Sequence, residues 1–366
     1  MRKRDPYAEA GVDYGALDAA KRRAVAAARA TSSFAHPRGA AIDERSRGEP
    51  ATVIRCGDAT YGFVLECLGT KSLVARDFEA ATGIDRFDAV GYDTVAAAVN
   101  DCCCVGALPL VVNAYFATGA ASWYTGTRQA SLVAGFARAC HDAGAAWGGG
   151  ESPTLQGLVA PDGIELAASV IGWVPTGFEP VLGSTLGVGD EIVLVGSNGL
   201  HQNGASLVRT VATTLPHGLA TPLGSGRLFG DAVLDPGLIY VGLVERLLYE
   251  AVPVHYLSHI TGHGLRKLMR ADRDLTYRVE RLPAVPEVLG FVVERAGLSK
   301  AEAHATLNMG AGFACFVAAG SGPRAVDLAR GLGLDALVAG RVEPGPRRVV
   351  VEPIDVEYAS GELELR

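Results

Sequence analysis

The fold of this chain is decided by the stretch Gly91-Tyr92-Asp93-Thr94-Val95-Ala96-Ala97-Ala98-Val99-Asn100-Asp101 and by the apolar run from Pro109 to Phe116 that follows it. Residues 93–105 have the small, alanine-rich composition and the spacing that favour a helix. Residues 109–116 predict a strand. Helices that alternate with apolar strands are typical of an α/β or α+β protein.

The same alternation extends outward from about residue 50 to the end of the chain. Further strands are predicted at 51–56, 62–68, 165–174, 191–195, 312–318 and 349–352, and further helices at 128–143, 205–212, 236–248, 285–296 and 325–332. Glycine and proline are frequent in residues 175–189, which predicts a connector. We therefore predict an α/β (α+β) protein with an N-terminal extension and loop at residues 1–50 and domains at residues 51–176 and 185–366.

Composition narrows the class of partner. Of the 366 residues, 49% are hydrophobic and 20% charged, which is enough to bury the cores of two domains. A net charge of -7 with no stripe of Lys and Arg argues against a nucleic-acid partner and favours a small-molecule substrate. No segment is apolar enough to span a bilayer, and the basic start is not followed by an apolar signal region. We predict a cytoplasmic protein.

Seven cysteines are scattered along the chain, apart from the triplet Cys102-Cys103-Cys104. Neighbours on one helix cannot form ordinary disulfides, so the thiols are predicted to be reduced. A metal cluster is the alternative for the triplet, but successive helical side chains point about 100° apart and do not converge on one ion. Small buried packing residues are the favoured interpretation.

Polar residues lie in the predicted helical stretch at residues 91–101. Asp93 and Asn100 are seven residues apart and share one helical face, and Asp101 lies beside them. Because the rest of the helix is apolar, an unpaired charge there is costly, and bound magnesium could supply the partner. The alternative, favoured on this segment alone, is that Asp93 caps the helix while Asn100 and Asp101 lie at its exposed end.

Two glycine-containing segments of the first half carry further candidates. Gly69-Thr70-Lys71 follows a predicted strand and opens a helix, so its backbone could bind a phosphate with Lys71 as the positive charge. The full P-loop spacing is absent, and a solvated lysine is the alternative. Gly148-Gly149-Gly150 leaves room for a close approach of the backbone, and Glu151 could hold a metal or a substrate donor. A plain turn is the alternative there.

Two segments of the second half are rich in polar groups. Residues 197–204 offer hydrogen-bond donors, with His201 as a candidate proton carrier, although Asn-Gly turns are common. Residues 259–265, His-Ile-Thr-Gly-His-Gly-Leu, predict a turn suited to anion binding at a helix N-terminus. Zinc is the alternative because histidines recur at 255, 259 and 263, but Pro253 and the glycines argue against one continuous helix.

The order and spacing of these motifs resemble the aminoimidazole ribonucleotide synthetase family, also called the phosphoribosylformylglycinamidine cyclo-ligase family. The likeness spans nearly the whole chain. It is carried by residues 7–13, 68–71, 91–101, 106–110, 115–119, 149–151, 197–204, 206–209, 259–262 and 308–312.

The resemblance implies two α/β domains, with residues 51–176 binding ATP and pairing their sheets in a homodimer. It also implies a ligase of purine biosynthesis, in which ATP and Mg²⁺ activate an amide or formyl oxygen of a ribonucleotide-like substrate and a nitrogen of that substrate closes an imidazole ring. The implied catalytic residues are His201, Glu151 and Lys71. The implied metal ligands are Glu66, Asp93 and Asp101. The implied cofactor-binding residues are Gly69, Thr70, Lys71, Asn100, Asn203, Thr261 and His259.

Several residues depart from the family pattern. Glu66-Cys67-Leu68 stands where the family has Asp-Gly-Val, and Ala114 stands where it has Asp. Thr154 and Gln156 replace a Glu and a Pro, His263 replaces a Gly, and the family's Gly-rich N-terminal segment is missing from residues 31–50. If these positions line the pocket, the lost hydrogen-bond acceptors predict weak or no turnover of formylglycinamidine ribonucleotide, with ATP binding retained.

Three classes of function remain open. The first is an ATP-dependent cyclo-ligase or a paralogue that acts on a related amide. The second is a phosphotransferase, because thiamine-monophosphate kinase and selenophosphate synthetase share the fold. The selenophosphate enzyme needs a reactive Cys near the N-terminus, whereas the first Cys here is Cys56, inside a predicted strand. The third is a ligand-binding protein without catalysis.

Overall fold

Two β-sheets with helices packed against them form the part of the chain that the computed structural model describes, residues 23–363. Residues 1–22 of the predicted N-terminal extension, including the family-like stretch 7–13, lie outside the described residues. Each predicted half of the chain contributes one sheet. The mixed α/β fold predicted from the sequence is thereby confirmed.

The first half builds a six-stranded sheet. Its strands are β1 (Ala40–Ile42), β2 (Thr52–Cys56), β3 (Ala59–Cys67), β4 (Leu108–Thr118), β5 (Ala146–Glu151) and β6 (Ile164–Val174), and its helices are α1 (Lys71–Thr82), α2 (Phe87–Cys103) and α3 (Thr127–Asp142). The strand order is β1-β2-β3-β6-β4-β5, and only the pairing of β4 with β5 is parallel among these described strands.

The second half builds a seven-stranded sheet. Its strands are β7 (Glu191–Gly196), β8 (Val254–His259), β9 (Leu275–Val279), β10 (Ala311–Val317), β11 (Ala336–Pro344), β12 (Arg348–Val351) and β13 (Val356–Ala359), in the order β13-β12-β9-β11-β7-β10-β8. Its helices are α4 (Ala205–Thr214), α5 (Phe229–Val233), α6 (Val241–Tyr249), α7 (Glu287–Ala296), α8 (Lys300–Thr306) and α9 (Gly322–Arg330), with a 3₁₀ helix at Gly264–Met269. Helix α6 contacts α2 and β4, so the two halves share a core.

Helix α2 is buried along nearly its whole length, and its small residues explain why. It packs on β3 and β6 and crosses α3 at backbone contact. A Cβ atom at Gly91 would lie 2.1 Å from the Leu132 carbonyl oxygen, and one at Gly135 would lie 1.8 Å from that of Asp88. Only glycine permits so close a crossing. The cysteine triplet lies at the C-terminal end of α2, buried and with free thiols, in agreement with the packing interpretation.

Several predicted boundaries are corrected by the structure. Helix α2 begins at Phe87 rather than at Asp93, so the prediction that Asp93 caps this helix is wrong. The helix predicted from residue 236 begins only at Val241. Residues 31–50, predicted as a loop, include the 3₁₀ helix Ser32–Arg38 and strand β1, which pairs with β2. Both elements are short, and β1 is three residues long and defined by its partner strand rather than by its own sequence pattern.

The glycine triplet 148–150 lies in strand β5 rather than in a turn. A Cβ atom at Gly150 would lie 2.0 Å from the Ala114 carbonyl oxygen on the neighbouring strand β4. Close approach of the two backbones therefore accounts for that glycine.

One face of the six-stranded sheet is apolar and bears no helix within the described chain. Phe63, Ile171 and Val111 are register neighbours on β3, β6 and β4, and they are 42%, 45% and 38% exposed. Leu65 is 68% exposed on the same face of β3. Helix α2 covers the opposite face. No helix among residues 23–363 is long and apolar enough to cross a membrane.

Candidate functional site

A cleft of about 700 Å³ lies between the two halves of the chain. The first half contributes the end of β3, residues 68–70 before α1 and one turn of α2, together with residues 24–25 and 48–50. The second half contributes the loop before α4, the end of β8 and the 3₁₀ helix Gly264–Met269. The polar motifs predicted at residues 66–71, 197–204 and 259–265 thus meet at one place.

Two helices begin at this cleft. Gly69 and Thr70 precede α1, and Asn203 and Gly204 precede α4; neither helix has a side-chain cap. The Thr70 and Ser206 hydroxyls are hydrogen-bonded across the cleft at 3.0 Å. The first N–H groups of a helix have no intrahelical acceptor and carry partial positive charge, so each helix start can bind an anion.

The carboxylates of Glu66 and Asp101 lie together on the cleft wall. Burial and the adjacent Asp101 charge raise the pKa of Glu66 to about 8. Burial also acts to raise the pKa of Asp101, but the His259 hydrogen bond and the charges of Lys267 and Arg270 outweigh it and lower that pKa to about 2. Near pH 7 the pair therefore carries about one negative charge, and a bound cation would favour two.

His259 is held by Asp101, with 2.7 Å between Nδ1 and Oδ1. A carboxylate with so low a pKa accepts hydrogen bonds, so Nδ1 carries the proton and Nε2 of a neutral ring has a lone pair. Within the described chain Nε2 is buried and has no hydrogen-bond partner. The ring is therefore oriented with Nε2 available to a hydrogen-bonding group of a ligand.

Gln202, like His259, has one side-chain atom held by a carboxylate and another without a partner within the described chain. Its Nε2 donates to Asp93 Oδ1 at 3.2 Å, which fixes the orientation of the amide because a carboxylate cannot donate. Its Oε1 is buried without a partner among residues 23–363. Gln202 lines the cleft, so this oxygen is an acceptor for an N–H or O–H group there.

Two basic residues of the cleft were missed in the sequence. Lys267 and Arg270 line it from the 3₁₀ helix Gly264–Met269 and the residue after it. Burial, with the nearby Arg270 charge, lowers the pKa of Lys267 to about 8. The sequence did contain a signal for them, because Lys267 and Arg270 closely follow the predicted anion-binding turn at residues 259–265 and are three residues apart.

Lys71 and Asp93 form an ion pair that is fully buried, away from the cleft lining. The Lys71 ammonium also donates to the His201 carbonyl oxygen at 2.7 Å, and the Gly237 N–H donates to Asp93 Oδ1 at 2.7 Å. Both acceptor and donor belong to the second half. The pair therefore joins the two halves, and the structure does not bring Lys71 to the catalytic position implied by the resemblance.

The predicted metal shell is likewise divided. Asp93 and Asp101 are eight residues apart on α2, about 12 Å along its axis. Among residues 23–363 no group of three or more His, Cys, Asp or Glu side chains could hold a metal ion. Glu66 and Asp101 remain as two carboxylates on one wall. Magnesium usually takes one or two carboxylates and completes its shell with phosphates and water, so these two residues fit it.

His201 is buried and strained, with a left-handed φ of 58°. Burial, with His259 and Lys71 nearby, lowers the pKa of His201 to about 3. Its Nε2 lies 2.7 Å from Asn198 Oδ1. The ring is therefore neutral near pH 7, and it does not line the cleft, so its role as a proton carrier stays a prediction.

The remaining predicted residues divide into two groups. Asn203 and Thr261 line the cleft beside the start of α4 and beside Lys267. Asn100 is fully buried, and its amide pairs with the Leu238 carbonyl and the Tyr240 N–H, which joins the two halves. Glu151 is exposed at the end of β5 and does not line the cleft.

The residues that depart from the family pattern divide into two groups: Glu66, Cys67 and Leu68 line the cleft, whereas most of the others do not. Ala114 lies within β4, and Thr154 forms an isolated bridge with Thr118. Gln156 is likewise in the segment after β5. Of the departures at 114, 154, 156 and 263, only His263 lines the cleft.

The geometry defines a two-domain α/β protein with a charged cleft between its halves, and comparison with known proteins identifies its family. The model for "AIR synthase related protein, N-terminal domain" matches residues 48–174, and that for the C-terminal domain matches residues 187–352. The chain belongs to the AIR synthase related protein family, and the resemblance seen in the sequence is confirmed.

Two relatives of this chain are both phosphoribosylformylglycinamidine cyclo-ligases. The chain is 38% identical over 287 residues to the phosphoribosylformylglycinamidine cyclo-ligase of Anaeromyxobacter sp. (strain Fw109-5), covering 77% of this chain and 81% of the relative. It is 34% identical to that of Methanothermobacter thermautotrophicus, covering 74% and 77%. A solved structure described as "AaThiL complexed with AMPPCP and TMP" has a TM-score of 0.57 at 17% identity, covering 85% of this chain and 90% of that one, which shows the shared fold.

Proposed function

We propose that the chain is an ATP- and magnesium-dependent ligase that forms a carbon–nitrogen bond, a phosphoribosylformylglycinamidine cyclo-ligase of purine biosynthesis. The observation that carries the proposal is the cleft, where two uncapped helix starts face the carboxylates of Glu66 and Asp101. The names of the relatives at 38% and 34% identity support the reaction. A neighbour with this fold was solved with AMPPCP, which supports nucleotide binding.

The reaction turns a substrate oxygen into a leaving group. The formyl oxygen of formylglycinamidine ribonucleotide attacks the γ-phosphorus of ATP; an O–P bond forms and the bond to ADP breaks. A nitrogen of the same substrate then attacks the activated carbon and loses a proton. The new C–N bond closes the imidazole ring, and the C–O bond breaks with inorganic phosphate as the leaving group. Positioning and charge stabilisation are the main tasks of the protein in such a transfer.

The cleft residues divide these tasks. The first N–H groups of α1 and α4, beside Gly69, Thr70 and Asn203, would bind phosphate oxygens. Glu66 and Asp101 would hold magnesium, which neutralises phosphate charge when bound. His259 Nε2 and Gln202 Oε1 are unpaired acceptors within the described chain, suited to the N–H groups of an amidine.

A direct assay of ring closure tests this proposal. Purified protein with Mg-ATP and formylglycinamidine ribonucleotide is expected to turn over at about 1–10 per second, the ordinary range for an enzyme on its own substrate. One ADP should form per imidazole ring. Accumulation of a phosphorylated substrate without a ring would instead identify a phosphotransferase, and release of neither ADP nor product would reject both activities.

We also propose that the chain forms a homodimer through the open face of its first sheet. Exposed Phe63, Leu65, Val111 and Ile171 make that face apolar across three adjacent strands. A contiguous apolar face on a sheet is a typical interface, because burying it removes the apolar area from water.

Replacing Leu65 with glutamate is expected to convert the dimer into a monomer, because a desolvated carboxylate at the centre of an apolar interface has no partner. Light scattering of the wild type should give twice the mass of one chain. Leu158→Glu is the matched control, since Leu158 is 84% exposed in a loop outside that face, and it should remain dimeric. A wild-type mass of one chain at all concentrations would reject the dimer.

A further inference from the structure

Lys267 and Arg270 present their side chains to the same side of the cleft. They are three residues apart at the 3₁₀ helix Gly264–Met269, and in such a helix residues i and i+3 are eclipsed. Both residues line the cleft. The cleft therefore contains fixed positive charge from side chains as well as the partial charge of two helix starts.

The two basic residues have different surroundings. Arg270 Nε donates to the Gly48 carbonyl oxygen at 2.9 Å and lies 3.8 Å from Glu49 Oε2, so its guanidinium holds the segment before β2 against the second half. Lys267 is 6% exposed. Within residues 23–363 its hydrogen bond goes to the Thr261 hydroxyl, and an ammonium has three donors.

The groups around Lys267 indicate which kind of ligand its unpaired N–H donors would bind. Glu66 and Asp101, the carboxylates proposed to hold magnesium, act on it electrostatically across the cleft, and Thr261 lines the same wall. A buried ammonium is costly unless it is paired, and two carboxylates that also hold a metal cannot satisfy it fully. A phosphoryl group placed against that metal would bring oxygens to the remaining donors of Lys267.

We propose that Lys267 is a catalytic residue that contacts the γ-phosphoryl group of ATP during its transfer to the substrate. The proposal rests on the proposed function of the cleft. A fixed ammonium stabilises the charge that spreads over the equatorial oxygens, and it does so without reorganising. The two helix starts carry only partial positive charge, whereas the Lys267 ammonium carries a full one.

The test compares nucleotides that differ by the γ-phosphate. Calorimetry measures the affinity of wild type, Lys267→Met, Lys267→Gln and Lys267→Arg for the β,γ-methylene analogue of ATP and for ADP, with magnesium. In wild type we expect the triphosphate to bind at least about tenfold more tightly than ADP. Lys267→Met and Lys267→Gln should lose most of that preference while ADP affinity changes less than about threefold. Lys267→Arg should retain part of it.

Lys300→Met is the matched control, because Lys300 is exposed at the start of α8, remote from the cleft lining. It should keep the wild-type preference. Equal weakening of both nucleotides in the Met and Gln variants would reduce Lys267 to a structural role, and an unchanged preference would refute the γ-phosphate contact. Wild type that binds neither nucleotide would reject the proposed function as well, which separates the two failures.

Discussion

Replacing Lys71 with methionine is expected to lower the free energy of unfolding by about 3–5 kcal/mol, because it leaves the Asp93 carboxylate buried without its counter-ion. Both side chains are fully buried, and the Lys71 ammonium also holds the His201 carbonyl oxygen of the second half. Urea unfolding at pH 7 measures the loss. Arg76→Met is the control on the same helix; Arg76 makes ion pairs at the surface, and its loss should cost less than about 1 kcal/mol.

The double variant Lys71→Met/Asp93→Leu should recover part of that loss, because removing both charges leaves no buried ion. Recovery stays incomplete, since the Gly237 N–H and Gln202 amide lose their acceptor. If Lys71→Met instead unfolds like wild type and abolishes nucleotide binding, Lys71 is a ligand-binding residue and the interdomain ion pair is not its role.

Replacing Asp101 with asparagine is expected to weaken Mg-ATP binding about 10- to 100-fold, because an amide is a poorer ligand than a carboxylate and loses the charge that faces the cation. The effect should vanish when magnesium is removed with a chelator. Asp93→Asn provides the contrast: its stability should fall while the folded fraction binds Mg-ATP like wild type. Calorimetry and thermal unfolding on the same samples measure both quantities.

Asp58→Asn is the control for this prediction, because Asp58 is exposed in the turn between β2 and β3. It should change neither stability nor affinity. Equal Mg-ATP affinity in Asp101→Asn and wild type would refute the metal assignment of Asp101, and a large loss of affinity in Asp93→Asn alone would restore the assignment of Asp93.

The sequence predicted the fold well because each half repeats long, strongly patterned elements. The apolar runs of β4, β6, β7 and β10 and the alanine-rich α2 are legible without tertiary information. The short strand β1 and the start of α2 were not, since their limits depend on partners that the sequence does not reveal.

The candidate site was predicted in its location and only partly in its roles. The motifs at residues 66–71, 197–204 and 259–265 do meet at the cleft. Which polar residue faces the cleft and which faces the interior depends on pairing across the halves, and the sequence does not show that Lys71 neutralises Asp93. The same applies to His201, whose side chain is buried beside Asn198 rather than exposed to the cleft.

The positions of the departing residues also change the turnover expected with formylglycinamidine ribonucleotide. Weak turnover was expected if Ala114, Thr154 and Gln156 had removed acceptors from the pocket, but these residues do not line the cleft. Among the departures, His263 and the segment Glu66-Cys67-Leu68 do, but none of these replaces a carboxylate by a residue that lacks one. The physical reason to expect a crippled ring closure on formylglycinamidine ribonucleotide is therefore largely removed.

Isotope transfer tests directly whether ATP activates an oxygen of the substrate in this cleft. Formylglycinamidine ribonucleotide labelled with ¹⁸O in the formyl group is incubated with the protein and Mg-ATP, and the inorganic phosphate is analysed by mass. We expect one ¹⁸O in the phosphate for each imidazole ring formed, with both signals reduced together in Asp101→Asn. Ring closure without ATP, or with unlabelled phosphate as the product, would contradict it.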